Sequence, residues 1–322
     1  MRRRELMLGG VVTAAAGRPA IGQASRERAR IGWIATGPAI PRKYFDQAMR
    51  QLGWIEGENL LVDRRVTGTN PADRLKADKE VIAANPDAIV AIGTLDAIPI
   101  RSLTGTIPIV LITAANLEES GLVESFRRPG GNVTGLSMIS SELDGKRLEL
   151  LHELIPEARQ VGMLGNHANA GDEARFAAAA VLAQSLGIGL QQRTAAHPEE
   201  LDAAFAASAA AGDQAILVPF VGLTFENQPR VLALAARYRL PAVYEVRDYV
   251  ENGGLISFGP DFHENFKRAA VLVDKILKGA NPAELPIERP TRFELIINRK
   301  ISKELGLAIP PLVFARADEI LE

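Results

Sequence analysis

Residues 70–92 read NPADRLKADKEVIAANPDAIVAI, and this stretch decides the fold. Asn70 has the side chain of a helix cap and Pro71 suits the first helical position, so a helix is expected from here to Asn85. Ala88-Ile89-Val90-Ala91-Ile92 then runs apolar without alternation, as a strand covered on both faces does in a parallel sheet. A helix feeding directly into such a strand is the repeating unit of an α/β layer.

The same unit recurs outward in both directions. Strands are expected over 30–36, 60–66 and 108–113, with helices over 41–52 and 95–103. After Pro129-Gly130-Gly131-Asn132 the pattern restarts. Helices are expected over 141–155, 172–186, 198–211 and 228–238, with strands over 161–165, 190–194, 215–218, 241–244 and 255–258. Helices ending just before Gly53, Gly187, Gly212, Gly279 and Gly306 fit the glycine stop. The reading is an α/β fold of two doubly wound parallel-sheet lobes joined by a multi-strand hinge. A final section reads as a helix over 261–278, a strand over 293–297, a short helix capped by Asn298, and a last helix over 315–321. A section added after two complete lobes implies that the chain crosses between them again. The length of 322 residues agrees, since single domains commonly run to about 100–200.

Composition removes several classes of function. Hydrophobic residues make up 47% and charged residues 24%, as in ordinary globular proteins. A net charge of -2 supplies no field for nucleic acid or an acidic membrane. With no cysteine there is no disulfide, thiolate nucleophile, cysteine-bound zinc or lipidated cysteine. Arg2-Arg3-Arg4, an apolar stretch from Leu6 to Ala16 and the small residues Gly22-Gln23-Ala24 together read as an export signal over 1–24. Arg3-Arg4-Glu5-Leu6-Met7 is loosely twin-arginine-like. The apolar stretch is short of the roughly 20 residues of a membrane span, and the expected compartment is the periplasm.

No dinucleotide, P-loop or nucleophile-elbow motif is present. His152, His167, His197 and His263 are scattered, with no metal-ligand spacing. No catalytic residue, metal or cofactor is expected. In open α/β sheets ligands sit beyond the carboxyl ends of the strands. That rule selects Thr36, Thr94, Asp96, Thr113 and Asn116 in the first lobe. In the second it selects Asn166, Phe220, Tyr244 and Glu245. Hydroxyls and backbone N–H groups suit a carboxylate, Asp96 or Glu245 an ammonium, and Phe220, Tyr244 or Tyr44 an apolar or aromatic body. Each residue also has a structural reading: Thr94 and Asp96 as helix caps, Asn166 as a turn residue, Phe220 as core.

Several motifs stand in a fixed order along the chain: RPGGNVTG (128–135), GGLISFGPD (253–261), KILKG (275–279), FELIIN (293–298), GLAIPP (306–311) and RADE (316–319). The ordered set resembles the ABC-transporter substrate-binding proteins described as a tryptophan/tyrosine transport system component. The resemblance implies a type I periplasmic-binding fold with three crossovers, at 132–135, at 257–261 and near 286–292. The hinge residues it implies are Asn132, Gly135, Gly259 and Asp261. The first lobe would then hold 25–132 plus about 259–286, and the second 133–258 plus about 287–322. It also implies a small-molecule ligand, an amino acid or related small carboxylate, passed to an ABC permease of the inner membrane. Two departures touch the ligand: Ala115-Asn116 stands where relatives have Asp-Pro, and Phe258 where they have Tyr. A sensor for a membrane receptor and a two-lobed enzyme using the cleft acids are the alternatives.

Overall fold

The computed structural model describes residues 28–36, 42–68, 70–114, 117–138, 143–166 and 170–322. The expected export signal and Asn116 lie outside the described residues. The chain begins β1 (Ala29–Thr36), α1 (Lys43–Gln51), β2 (Leu60–Thr67), α2 (Pro71–Ala83), β3 (Ala88–Ile92), α3 (Gly93–Leu103), β4 (Ile109–Ala114) and β5 (Val133–Ser137). It continues α4 (Asp144–Leu154), β6 (Gln160–Gly165), α5 (Ala170–Ser185), β7 (Gly189–Thr194), α6 (Leu201–Ala210), β8 (Ile216–Val218), α7 (Gly222–Glu226) and α8 (Gln228–Arg237). It closes with β9 (Ala242–Tyr244), α9 (Arg247–Glu251), β10 (Ile256–Pro260), α10 (Phe262–Leu277), β11 (Phe293–Asn298), α11 (Arg299–Leu305), α12 (Pro311–Arg316) and β12 (Glu319–Leu321).

The local signals act as read. Asn70 Oδ1 accepts from the Ala72 N–H at 2.9 Å at the start of α2. Ala88, Ile89, Val90 and Ala91 of β3 are fully buried, because helices cover both faces of the sheet.

Two sheets form. The first has the order β2-β1-β3-β4-β5, and all its pairs are parallel. The second has the order β12-β11-β10-β9-β8-β6-β7. Its strands β7, β6, β8, β9 and β10 are parallel, and β11 pairs antiparallel to β10. Both lobes therefore reverse strand order at the same place, between β1 and β3 and between β6 and β8.

α10 leaves the second sheet and packs on α1 and β4 of the first lobe. Its apolar side buries Phe266, whose ring stacks on Trp33 at 6.4 Å, while Phe45 meets the Trp33 ring edge-on at 5.1 Å. At the far end of α10, Asp274 accepts from Trp54 Nε1 at 2.8 Å.

Two readings need correction. Residues 132–135 are not the first crossover. Asn132 is buried and donates to the Thr104 and Ile107 carbonyls at 3.1 and 2.6 Å. Gly135 lies in β5, which pairs with β4, so the first lobe continues past 132 and the crossing follows Met138. The expected last helix over 315–321 is instead α12 followed by the short strand β12. Pro311 fits the first turn of a helix, and the edge of β11 then recruits the following residues.

The chain leaves the second sheet after Pro260, the end of β10. Asp261 caps α10 by accepting from the Glu264 N–H at 3.0 Å. Glu288 lies along β5, its N–H on the Gly135 carbonyl at 2.9 Å and its own carbonyl accepting from the Ser137 N–H at 2.9 Å. The chain then re-enters the second sheet at Phe293. The second and third crossings are bonded together, Asp261 N–H to Arg292 carbonyl at 3.1 Å.

Gly135 is required by contact as well as conformation. Its φ is 142°, and a Cβ there would lie 2.3 Å from the Leu111 carbonyl oxygen. Gly135→Ala is expected to cost about 3 kcal/mol of stability, since backbone cannot yield as a side-chain tip can. A urea unfolding curve checks this; an unchanged midpoint would show that β5 can shift away from β4.

Candidate functional site

The two points of strand-order reversal place a crevice at the carboxyl ends of β1 and β3 on one side and of β6 and β8 on the other. Thr36 ends β1, paired with Thr67. Thr94 and Asp96 sit in the first turn of α3. Thr113 is buried near the end of β4 with φ of 58°, an uncommon conformation for a β-branched residue. Its hydroxyl donates to the Ile112 carbonyl at 2.7 Å, and the β4–β5 register shifts beside it. From the second lobe, Asn166 follows β6, and its N–H donates to Asp172 Oδ2 at 2.8 Å.

Phe220 follows β8 and is half-buried, with Phe225 and Phe262 edge-on at 4.8 and 4.9 Å. Phe262 opens α10, so this aromatic group joins the two lobes. Half-buried Tyr44, at the start of α1, stacks on His263 at 3.9 Å. Tyr244 is not brought to the crevice surface. It is buried in the second-lobe core, its ring stacked on Tyr249 at 4.5 Å. Burial pushes the Tyr244 phenol well above its ordinary range. Phe258 packs against the second-lobe core.

The two acids proposed for an ammonium sit in opposite settings. Glu245 is buried among guanidiniums. Arg175 Nη2 bonds to it, and Arg147 Nη1 lies 3.5 Å away. Both arginines also hold buried Asp144: Arg147 Nη1 at 2.7 Å, Arg175 Nε at 2.6 Å and Arg175 Nη2 at 2.7 Å. Burial opposes the Arg175 charge, but Glu245 and Asp144 outweigh it and raise its pKa. Two positive and two negative charges thus compensate one another. Arg175 also lines a small recess at the end of β6 with Gly165, Asp172, Phe176, Gln192 and Pro219.

On the first-lobe side, Asp96 is buried and pairs with Arg74 at 3.3 Å. Asp78, one turn further along α2, is 2% exposed. Burial, then the negative charge of Asp96, pushes its pKa up to about 6, against the pull of Arg74. Glu226 reaches the same group from α7 of the second lobe. Burial and then Asp96 hold its carboxyl above the usual range. Glu226 Oε1 is buried without a hydrogen bond. Asp78 and Glu226 both feel the charges of Asp96 and Arg74.

Sequence reading missed Asp78, Asp144, Arg147, Arg175 and Glu226. The spacings of Asp144 and Arg147, three residues apart, and of Arg74 and Asp78, four apart, put each pair on one helix face and carry a local signal. The other partners meet only in the folded chain.

Asp78 yields a signed prediction. Its folded pKa exceeds the unfolded value, so its charge lowers stability above pH 6, and the penalty vanishes as the pH falls toward 4. Asp78→Asn is therefore expected to stabilise by about 2 kcal/mol at pH 7.5 and by nearly nothing at pH 4. Urea midpoints at the two pH values check this; equal effects at both would refute it.

Comparison with known proteins gives a consistent result. The family model described as "ABC transporter substrate binding protein" matches residues 35–321. A tyrosine-binding protein of Clostridioides difficile (strain R20291) is 25% identical over 281 residues, covering 86% of this chain and 81% of the relative. The crystal structure of a conserved domain protein from Vibrio cholerae O1 biovar El Tor strain N16961 superposes with a TM-score of 0.84 at 27% identity, over 91% of this chain and 99% of that one. A Streptococcus pneumonia ABC domain in complex with L-Trp superposes at 0.83 with 22% identity, over 91% and 100%. The family match runs through both sheets and all three crossings, and the chain belongs to the ABC transporter substrate-binding proteins.

Proposed function

We propose that this chain is the exported solute-binding component of an ABC importer, closing its two lobes on an amino acid with an aromatic side chain and presenting it to a membrane permease. The observation that carries the ligand class is the aromatic group between the lobes. Phe220 and Tyr44 are both half-buried at the crevice, and each is braced by a ring of α10, Phe262 and His263 respectively. A planar ligand ring gains most from faces and edges held in place like this. The tyrosine-binding relative and the neighbour crystallised with L-Trp support the same class. The basic start, short apolar middle and small-residue exit of residues 1–24 support export. No helix among the described residues is long and apolar enough to cross a membrane.

The electrostatics orient such a ligand. Glu245 is already neutralised by Arg147 and Arg175, so it offers little to an ammonium. Asp96 pairs with Arg74 and adds its negative charge to those of nearby Asp78 and Glu226. We place the ligand ammonium on this first-lobe side and its ring against Phe220. The hydroxyls of Thr36, Thr94 and Thr113, with Asn116 and Asn166, remain proposed contacts for the carboxylate. Gly259 and Asp261, beside the second crossing, remain proposed hinge residues.

The deciding experiment is a thermal-shift panel on residues 25–322 after unfolding and refolding to strip carried ligand. L-Tyrosine and L-tryptophan should raise the melting temperature, since ligand at a hundred times its Kd adds about 2.7 kcal/mol. Sugars and nucleosides should not. A shift with sugars alone would remove the ligand class. A second measurement addresses the aromatic group: Phe220→Leu should weaken binding about tenfold while keeping the fold, because it removes the ring and retains apolar bulk. Unchanged affinity would place the ligand elsewhere in the crevice.

A further inference from the structure

A second recess opens on the second lobe at the amino ends of β9 and β10, the opposite end of those strands from the crevice. Its volume is about 100 Å³. α8 supplies Leu232, Ala235 and Ala236 on one side, and α11 supplies Ile301 and Leu305 on the other. The space exists because the residues at the convergence are small: the two alanines of α8, and Gly253 and Gly254 in the turn that enters β10. Gly254 also lets the Tyr244 ring lie against that turn, since a Cβ there would stand 2.7 Å from Tyr244 Cε2. Arg239 Nη2 donates to the Glu304 carbonyl at 3.0 Å and ties the end of α8 to α11 across the mouth. Ala236, Arg239, Gly253 and Glu304 are exposed, so the recess meets solvent between them.

The inner wall carries one polar side chain. Tyr244 lines the recess and is 1% exposed, with its ring stacked on Tyr249. Burial raises the phenol's pKa, so it is a neutral donor at any ordinary pH. No described residue hydrogen-bonds to its hydroxyl. A sheltered hydroxyl without a partner is costly, and a ligand that supplies an acceptor recovers that cost. The rest of the inner wall is aliphatic. Water needs about two to four polar partners to be held in such a space, whereas an apolar cavity of about 150 Å³ takes benzene. A single aromatic ring is therefore the size and chemistry that fit.

We propose that this recess is a second binding site, separate from the crevice, for a small neutral aromatic molecule carrying one hydrogen-bonding group. The ring lies among Leu232, Ala235, Ile301 and Leu305, and the polar group meets the Tyr244 hydroxyl. The side chains of Arg239 and Glu304 at the mouth carry opposite charges and leave no net field to draw in an ion. A free amino acid would bring two charges into an aliphatic space, so the site excludes the class of ligand proposed for the crevice. Tyr244, selected from the sequence as a crevice contact, serves this other space.

Phenol is the probe, with benzene as its apolar counterpart, and NMR of the leucine and isoleucine methyls is the readout. Phenol should shift the methyls of Leu232, Ile301 and Leu305 saturably, with a dissociation constant on the order of 1 mM for so small a ligand. Tyr244→Phe should weaken phenol about fivefold and leave benzene unchanged, because it removes only the hydrogen bond. Ala236→Leu, on the exposed rim of α8, should fill the recess and abolish the binding of both. Shifts that do not saturate, or that fall on Leu164 at the crevice end of β6 instead, overturn the site. So does binding that persists in Ala236→Leu. Phenol and benzene weakened alike by Tyr244→Phe, or neither weakened, overturns the assignment of the hydroxyl and with it the ligand class.

Discussion

The second lobe depends on a buried balance of charge. Asp144, Arg147, Arg175 and Glu245 lie together under the floor of the crevice. Any one of them alone would carry a desolvation cost of several kcal/mol, and only mutual pairing makes their burial tolerable. The pairing has a geometric consequence. Asp144 and Arg147 open α4, just after the first crossing, while Arg147 Nε donates to the Phe258 carbonyl at 2.8 Å, just before the second. The close approach of Gly259 to the same spot, where a Cβ would meet the Glu245 carbonyl oxygen at 2.0 Å, completes the join. The second-lobe ends of two crossings are thus fastened to the carboxyl end of β9. A hinge whose ends are fixed has its motion confined to the few residues between.

The fold was legible because its signals are local. Asn70, Pro71 and the apolar run of β3 act within one turn or one strand. The places where reading failed are those where a distant partner decides. Asn132 and Gly135 suggest a hinge, yet Val133 to Ser137 form a strand because β4 presents an open edge and Gly135 lets the two backbones meet. β12 has only three residues and no helix stop before it, and it exists because β11 needs a neighbour. Propensity cannot record the availability of an edge.

The site divides in the same way. The rule that ligands sit beyond the carboxyl ends of strands selected Thr36, Thr94, Asp96, Asn166 and Phe220 from the sequence, and all five lie at or just after strand ends. It also selected Tyr244 and Glu245, because it finds strand ends and not side-chain directions. Side chains alternate along a strand, so of two adjacent residues at a strand end one commonly faces the core. Tyr244 takes that position. Glu245 does reach the right edge, but its partners Arg147 and Arg175 lie 98 and 70 residues earlier in the numbering, and no spacing rule joins them.

The two sides of the crevice differ in how their charges are arranged. The second-lobe cluster pairs two positive with two negative charges. On the first-lobe side Asp78 and Asp96 lie near Arg74, and Asp96 also acts on Glu226 of the second lobe. Bringing Glu226 to Asp96 without a ligand therefore brings like charges into a shielded space, where water no longer screens them. A cationic group between them reverses the sign of that interaction. Under the proposed function, an ammonium held between Asp96 and Glu226 and a ring held against Phe220 both favour closure, so the proposed ligand itself is what couples occupancy to the approach of the lobes.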